Sequence, residues 1–360
     1  MKTILLYLIT VLLLSNCNTN NTDAISNKEV VIDSTVIKPF IITEKTPIDT
    51  DDPAIWINRI NPSKSLILGT DKGDLNGGIY VFDLEGKIIS SLTVYPLQRP
   101  NNIDIEYGFH YNDQIIDIAV FTERGRNMIR VFRIPDMIPI DNGGIEVFVG
   151  DSLRDPMGIG LFKDPTNGLV YAIVGRKTGP ENGYLWQYLL QTDTFGIVNA
   201  TLVRKFGQFT GGKEIESIVV DDELGHVYYS NETVGVRQYY ASPDKGDNEL
   251  SLFATHLVTE DHEGISIYKT GHGTGYILLS DQQSNRFHIF QREGSLENPY
   301  YHALRKIVTV EAVESDGSDI TEVPLNENFK QGLFVAMSTD QTFHYYRWED
   351  IAGKDLLISK

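Results

Sequence analysis

The chain of 360 residues carries 49 acidic against 31 basic side chains, a formal charge of −18, which argues against nucleic acid or an anionic membrane surface as a partner and makes cations the expected company. Cys17 is its only cysteine, so an intrachain disulfide and a redox pair are both excluded. Length and a 41% hydrophobic content allow a large core.

The first element is a targeting segment. Met1-Lys2 gives a charged start, Ile4 to Leu14 an apolar stretch, and Leu14-Ser15-Asn16-Cys17 a lipobox-like end. The segment is too short to span a membrane as an anchor and reads as a lipoprotein signal peptide over residues 1–16, with Cys17 the lipidated residue. An ordinary secretory peptide is the plainer reading, and either one takes the mature chain out of the cytoplasm, to the cell envelope or beyond it. Residues 17–28 are polar and aperiodic and suit a flexible tether. The folded domain is expected over 29–360, touching the membrane only through the lipid.

From there on the apolar residues lack helical spacing and are rich in Val, Ile, Tyr and Phe between turn residues, which indicates an all-β chain. Three strands recur six times. Third strands read "GIYVFD", "MIRVFR", "YLWQYL", "GVRQYY", "RFHIFQ" and "TFHYYR", with an aromatic at Phe82, Phe132, Tyr188, Tyr239, Phe290 and Tyr346, spaced by 50, 56, 51, 51 and 56 residues. Second strands precede them at "ILGTDK", "AVFTER", "AIVGRK", "VYYSNE", "ILLSDQ" and "FVAMST". Innermost strands read "DPAIWI", "NIDIEY", "MGIGLF", "ESIVVD", "EGISIY" and "EVPLNE". A fourth, outer strand follows in five repeats, for instance at 87–94 and 201–207. The sixth repeat lacks one, and the β-rich stretch 30–43 ahead of the first repeat has no other place. The expectation is a six-bladed β-propeller closed by an N-terminal strand that completes the last blade, which protects the sheet edges and leaves little need of a partner subunit.

In a radial repeat, equivalent positions lie on a ring. The ends of the second strands give Lys72, Arg124, Lys177, Glu232, Gln282 and Thr339, three successive blades carrying a long cation, with Arg126 a further candidate for substrate binding. The starts of the first strands give Asp52, Asn102, Met157, Glu216, Glu263 and Glu322; Asp51, Asp104 and Asp261 adjoin them, and the loop 313–322 adds Glu314, Asp316 and Asp319. Like charges about 5 Å apart repel by about 3 kcal/mol at an effective dielectric near 20, so such a gathering calls for compensation. Hard oxygen ligands from several loops are what Ca²⁺ accepts. Zinc is disfavoured because the histidines are scattered, with no HExxH and no cysteine pair. Cations in one sector and metal-bound carboxylates in the other suit a multiply charged anion, and phosphate is the obvious one. "GHGTG" (271–275) joins two strands and reads as a hairpin turn rather than a phosphate loop.

"DDPAIW" (51–56), "FDLEGK" (82–87), "NNIDI" (101–105), "TER" at Arg124, "IESIVVDDELG" (215–225), "DHEGISIY" (261–268), "GLFVA" (332–336) and "WEDIA" (348–352) make the chain resemble the β-propeller phytases. These are calcium-dependent phosphatases of myo-inositol hexakisphosphate. The resemblance implies a site holding several calcium ions, with phytate as substrate. Lys72, Arg124 and Lys177 match the family's phosphate-binding cations. Asp52, Glu216, Asp261 and Glu263 match its calcium-ligand and catalytic acids, with Glu232 on the corresponding fourth-blade loop, and Asn102 and Asp104 match ligands of a more firmly held calcium. A water bridging the ions would attack phosphorus in line while the cations hold the phosphate oxygens. Two positions depart from the pattern: Met157 stands where the family has a phosphate-contacting Tyr, and Thr178 where a Glu follows the third-blade lysine, with Glu181 nearby. Two other readings stay open: a phytase-like protein that binds inositol phosphates with little turnover, and a calcium propeller acting on esters or lactones.

Overall fold

The structure is a computed structural model describing residues 30–359; the signal peptide, the tether and Cys17 lie outside the described residues. Six sheets stand in a ring. Blade one comprises Thr50–Trp56, Leu66–Asp71, Gly77–Phe82 and Val94–Leu97; blade two comprises Pro100–Tyr111, Gln114–Glu123 and Met128–Ile134, edged by Ile138–Pro139 and Ile145–Glu146. Blade three is built of Pro156–Lys163, Val170–Arg176, Asn182–Thr192 and Val198–Gln208, and blade four of Ile218–Asp221, His226–Asn231, Gly235–Tyr240 and Ser251–Phe253. His262–Gly271, Thr274–Asp281, Arg286–Gln291 and Leu304–Val310 form blade five, and Ser318–Thr321, Leu333–Ser338 and Thr342–Arg347 the inner part of blade six. Each innermost strand contacts that of the next blade, and the sixth contacts the first.

The repeated aromatic explains the stacking. Second and third strands are apolar on both faces because blades pack face to face, and between them lie six separate cores. Phe82 packs against blade six, Phe132 against blade one, Tyr188 against blade two, Tyr239 against blade three, Phe290 against blade four and Tyr346 against blade five, so each core takes one of the six recurring aromatics. Burying one such ring removes roughly 150–250 Å² from water, so each blade is fixed to its neighbour mainly by this position and the aliphatic residues around it.

Three boundaries differ from the sequence reading. The innermost strand of blade six is Ser318–Thr321, not "EVPLNE"; Pro324 has no amide to give a ladder, and the chain turns away there. The outer strand of blade one is Val94–Leu97, while residues 87–94 form a single bridge, Phe82 to Ile88, followed by turns. The stretch 30–43 is divided. Val31–Ile37 lies parallel to Leu304–Val310 on the outside of blade five, and only Ile41–Ile42 pairs with Tyr345 and His344 as the fourth strand of blade six. "GHGTG" is a hairpin turn, with Gly271 opposite Thr274.

Candidate functional site

One backbone hydrogen bond is repeated at the same rim of every blade. The amide of the residue ending the second strand donates to a carbonyl just ahead of the first: Lys72 to Asp49 at 2.8 Å, Arg124 to Arg99 at 3.0 Å, Lys177 to Asp155 at 2.9 Å, Glu232 to Glu214 at 3.3 Å, Gln282 to Asp261 at 3.5 Å and Thr339 to Val313 at 3.1 Å. The six positions aligned from sequence therefore share one ring. On the facing ring, the residue two places before the first regular strand pair is Asp51, Asn101, Met157, Glu216, Glu263 and Asp316 in turn. Asp51 and Asn101 thus hold the places read as Asp52 and Asn102, and Asp316 holds the place read as Glu322, which lies past the end of its strand. All of the ring but Met157 offers oxygen.

At this rim a cavity of about 590 Å³ is lined by Lys72, Lys177, Thr178, Lys213, Glu214, Glu216, Glu232, Glu263 and Asp316, among others. Carboxylate oxygens of Glu216, Glu232 and Glu263 lie within 4.8 Å of one another. Every cation is met by an acid. Lys72 Nζ donates to Asp51 Oδ1 at 2.9 Å and Asp316 Oδ2 at 2.7 Å, Lys177 pairs with Glu214, and Lys213 Nζ donates to both oxygens of Asp261 at 2.6 and 2.7 Å. Gly317 lets the blade-six loop close over the first blade, since a Cβ there would lie 2.4 Å from Asp52 Oδ1. Gly158 plays the same part beside Glu216, where a Cβ would meet the Glu216 carbonyl at 2.0 Å.

Crowding sets the charges. Burial, then Asp51 and Asp316, push Glu216 up to about 8, and burial, then Asp261 and Glu214, push Glu232 up to about 7. Glu263 is driven well above the carboxylate range by burial and by Glu216 and Glu232, and Asp316 rises to about 6 through burial despite Lys72. Burial alone would lower Lys72, but Asp51, Asp316 and Glu216 outweigh it and hold it above its ordinary value. Carboxylates so placed hold protons unless a cation of higher charge replaces them.

The other predicted residues fall into distinct places. Arg124 occupies its ring position half-buried and is not among the residues lining the cavity; Arg126 is drawn to Glu123 at 3.4 Å. Asn101 and Asn102 are buried beside Asp51 and Asp52, and the side-chain oxygen of each has no hydrogen-bond partner. Asp104 and Asp319 face a second cavity of about 720 Å³ around the axis, to which all six innermost strands contribute. Their oxygens are engaged: Asp104 accepts from Ile105 and Leu161, and Asp319 from Ile55 and Ile320, each at 2.7 Å. Asp52 likewise accepts the Ile103 amide at 3.0 Å. Each of these carboxylates thus joins its own innermost strand to that of the next blade. Met157 is wholly buried and does not line the first cavity, and Glu181 is exposed and does not line it either.

Comparison with known proteins places this arrangement. The phytase family model matches residues 2–354. The chain belongs to the β-propeller phytase family. It is also 30% identical over 326 residues to the 3-phytase of Bacillus subtilis (strain 168), covering 84% of this chain and 80% of that protein. A solved structure of the Dos1 propeller superposes with a TM-score of 0.43 at 12% identity, covering 83% of this chain and 67% of that one.

For a β-propeller phytase the donor set fits calcium. The converging side chains are carboxylates and amides, hard oxygen donors without sulfur or a histidine cluster. Glu263 Oε2, Asn101 Oδ1 and Asn102 Oδ1 are buried oxygens with no partner among the described residues, a costly condition that a cation relieves. Two residues of this phytase's site escaped the sequence reading. Lys213 and Glu214 sit in the loop before the fourth innermost strand, outside the aligned register, and only the surplus of charge in "GGKEIE" could have signalled them. Glu214, not Glu181, supplies the carboxylate beside Lys177.

Proposed function

We propose that this protein hydrolyses phosphomonoesters of phytate, myo-inositol hexakisphosphate, with calcium as its cofactor. The observation that carries the reading is one cavity in which Lys72 and Lys177 face three carboxylates, Glu216, Glu232 and Glu263, close enough to share one cation. Bound calcium would supply charge neutralisation and Lewis acidity at the phosphoryl oxygens. The chain's own groups do the rest. Lys72 and Lys177, with Arg124 on the next ring position between them, hold the phosphate oxygens and offset the charge that spreads over them in an in-line displacement. Water adds to phosphorus and the bond to the inositol oxygen breaks. The carboxylates of Glu216, Glu232 and Glu263, which converge within 4.8 Å, would hold the cation, and a carboxylate among them that is left free takes the proton the water gives up, while the leaving inositol oxygen is protonated from solvent.

Phosphate release from phytate, followed with calcium, with a chelator and after calcium is restored, tests this: release should vanish with the chelator and return. Unchanged release under chelation, with the fold intact by circular dichroism, would remove the calcium mechanism. A binder without turnover is favoured by one observation: Met157 has no hydroxyl to offer a phosphate and is buried away from the cavity; calorimetric binding of phytate without phosphate release would decide for it. The cell envelope is the proposed location, through lipid on Cys17, and Cys17→Ser should move the protein from the membrane fraction to the soluble one.

A further inference from the structure

Lys213 differs from the other cations of the cavity in how it is held. Its side chain is 46% exposed, against 19% for Lys72, and it follows Gly211 and Gly212, where a left-handed glycine (φ +75° at Gly211) faces open space. An ammonium has three donors. Two of them reach the Asp261 oxygens, at 2.6 and 2.7 Å, and the third has no protein partner among the described residues. Asp261 cannot follow the lysine outward, because Gln283 grips it twice, donating to Oδ2 at 2.6 Å and accepting the Asp261 amide at 3.0 Å. The lysine is therefore aimed by a fixed carboxylate while its tip stays in solvent at the cavity mouth. A simple surface ion pair would not need so rigid a partner, and such pairs contribute little to stability.

We propose that Lys213 is a substrate-binding residue of this site, giving its third N–H to a phosphate oxygen of a multiply phosphorylated ester. The inference rests on the reading of the cavity as a phosphatase centre and adds a fourth cation to Lys72, Arg124 and Lys177. Positioned by Asp261, Lys213 meets the substrate at the mouth, whereas Lys72 meets it at the floor. Its contribution goes to capture of the charged ester and not to the bond-breaking step, so it raises affinity more than turnover.

The test uses the full chain in calcium-containing buffer, with inorganic phosphate as the calorimetric probe and phytate as substrate. Lys213→Met should weaken phosphate binding about tenfold and raise KM for phytate by a similar factor, the size of one charge-assisted hydrogen bond, while kcat stays within about threefold. Lys213→Arg should restore most of the affinity. Melting temperature should not move, and calcium affinity should not fall. Unchanged phosphate affinity and KM in Lys213→Met would overturn the proposal. So would a loss of calcium affinity in place of phosphate affinity, which would make Lys213 a prop for Asp261. If the parent protein releases no phosphate from phytate, the phosphatase reading fails, yet the phosphate-binding comparison still decides whether Lys213 contacts the anion.

Discussion

Single residues at the rim divide into those that repeat and those that do not. Lys72, Arg124, Lys177 and Glu232 were legible because the second strands align in register, and each donates the same backbone hydrogen bond. Lys213 and Glu214 were not: Glu214 gives the carbonyl that accepts this bond in blade four and Lys213 precedes it, both ahead of the strand where the register readable in sequence begins. Lys177 reaches the cavity partnered by Glu214, at 42% side-chain exposure, so its ammonium is free to turn to an anion. Lys177→Ala should lower kcat/KM for phytate by about 10- to 100-fold, the range for removing a charged donor from a developing phosphoryl charge. An esterase or lactonase of the same fold would lose little by the same change, so parallel assays on phytate and an uncharged ester separate the two.

At the scale of the element, the innermost strands carry a second logic that charge counting missed. Asp52, Asp104 and Asp319 read as metal ligands because oxygen donors cluster there in sequence; their carboxylates also receive amides from the adjacent blade. Buried carboxylates joining strands become structural parts whatever else they bind. Asp104→Ala leaves the Leu161 amide unpaired inside the protein and should cost about 1–3 kcal/mol in urea unfolding. The strand His226–Asn231 supplies a pH test. Burial, outweighing Asp221, holds His226 down at about 4 against an ordinary 6.5. The folded state keeps this imidazole neutral while the unfolded chain takes up a proton, so between those values the unfolded state binds more protons and stability falls as pH is lowered. His226→Phe should gain melting temperature over the parent protein as pH is lowered from about 6.5 to 4; the difference between the two isolates this group, since His262, His302 and His344, which burial also lowers, and Glu216, Glu232 and Asp316, whose raised carboxyls act with the opposite sign, are common to both. Strand positions were read well where both faces are buried and poorly at blade edges. There a bridge or a two-residue pair such as Ile41–Ile42 carries no periodicity to read.

The whole molecule joins these levels. Six cores, each with one recurring aromatic, make the ring from local contacts, which is why the blade count could be taken from spacing alone. Closing the ring gathers more carboxyl groups at one rim than Lys72, Lys177 and Lys213 pair, so a cation held there would link its binding to folding. Saturating calcium should raise the melting temperature by several degrees over chelated protein, since a ligand at about 100 times its Kd adds about 2.7 kcal/mol to the folded state. An equal melting temperature with and without calcium would break that link. The rim bond common to all blades has a design consequence. Six identical backbone sockets accept Lys, Arg, Lys, Glu, Gln and Thr without any change in how the chain is wired, so the chemistry of this face can be rewritten by exchanging side chains alone. Selection for a different anion has only to move charge around the turret, one socket at a time, while the scaffold beneath stays as it is.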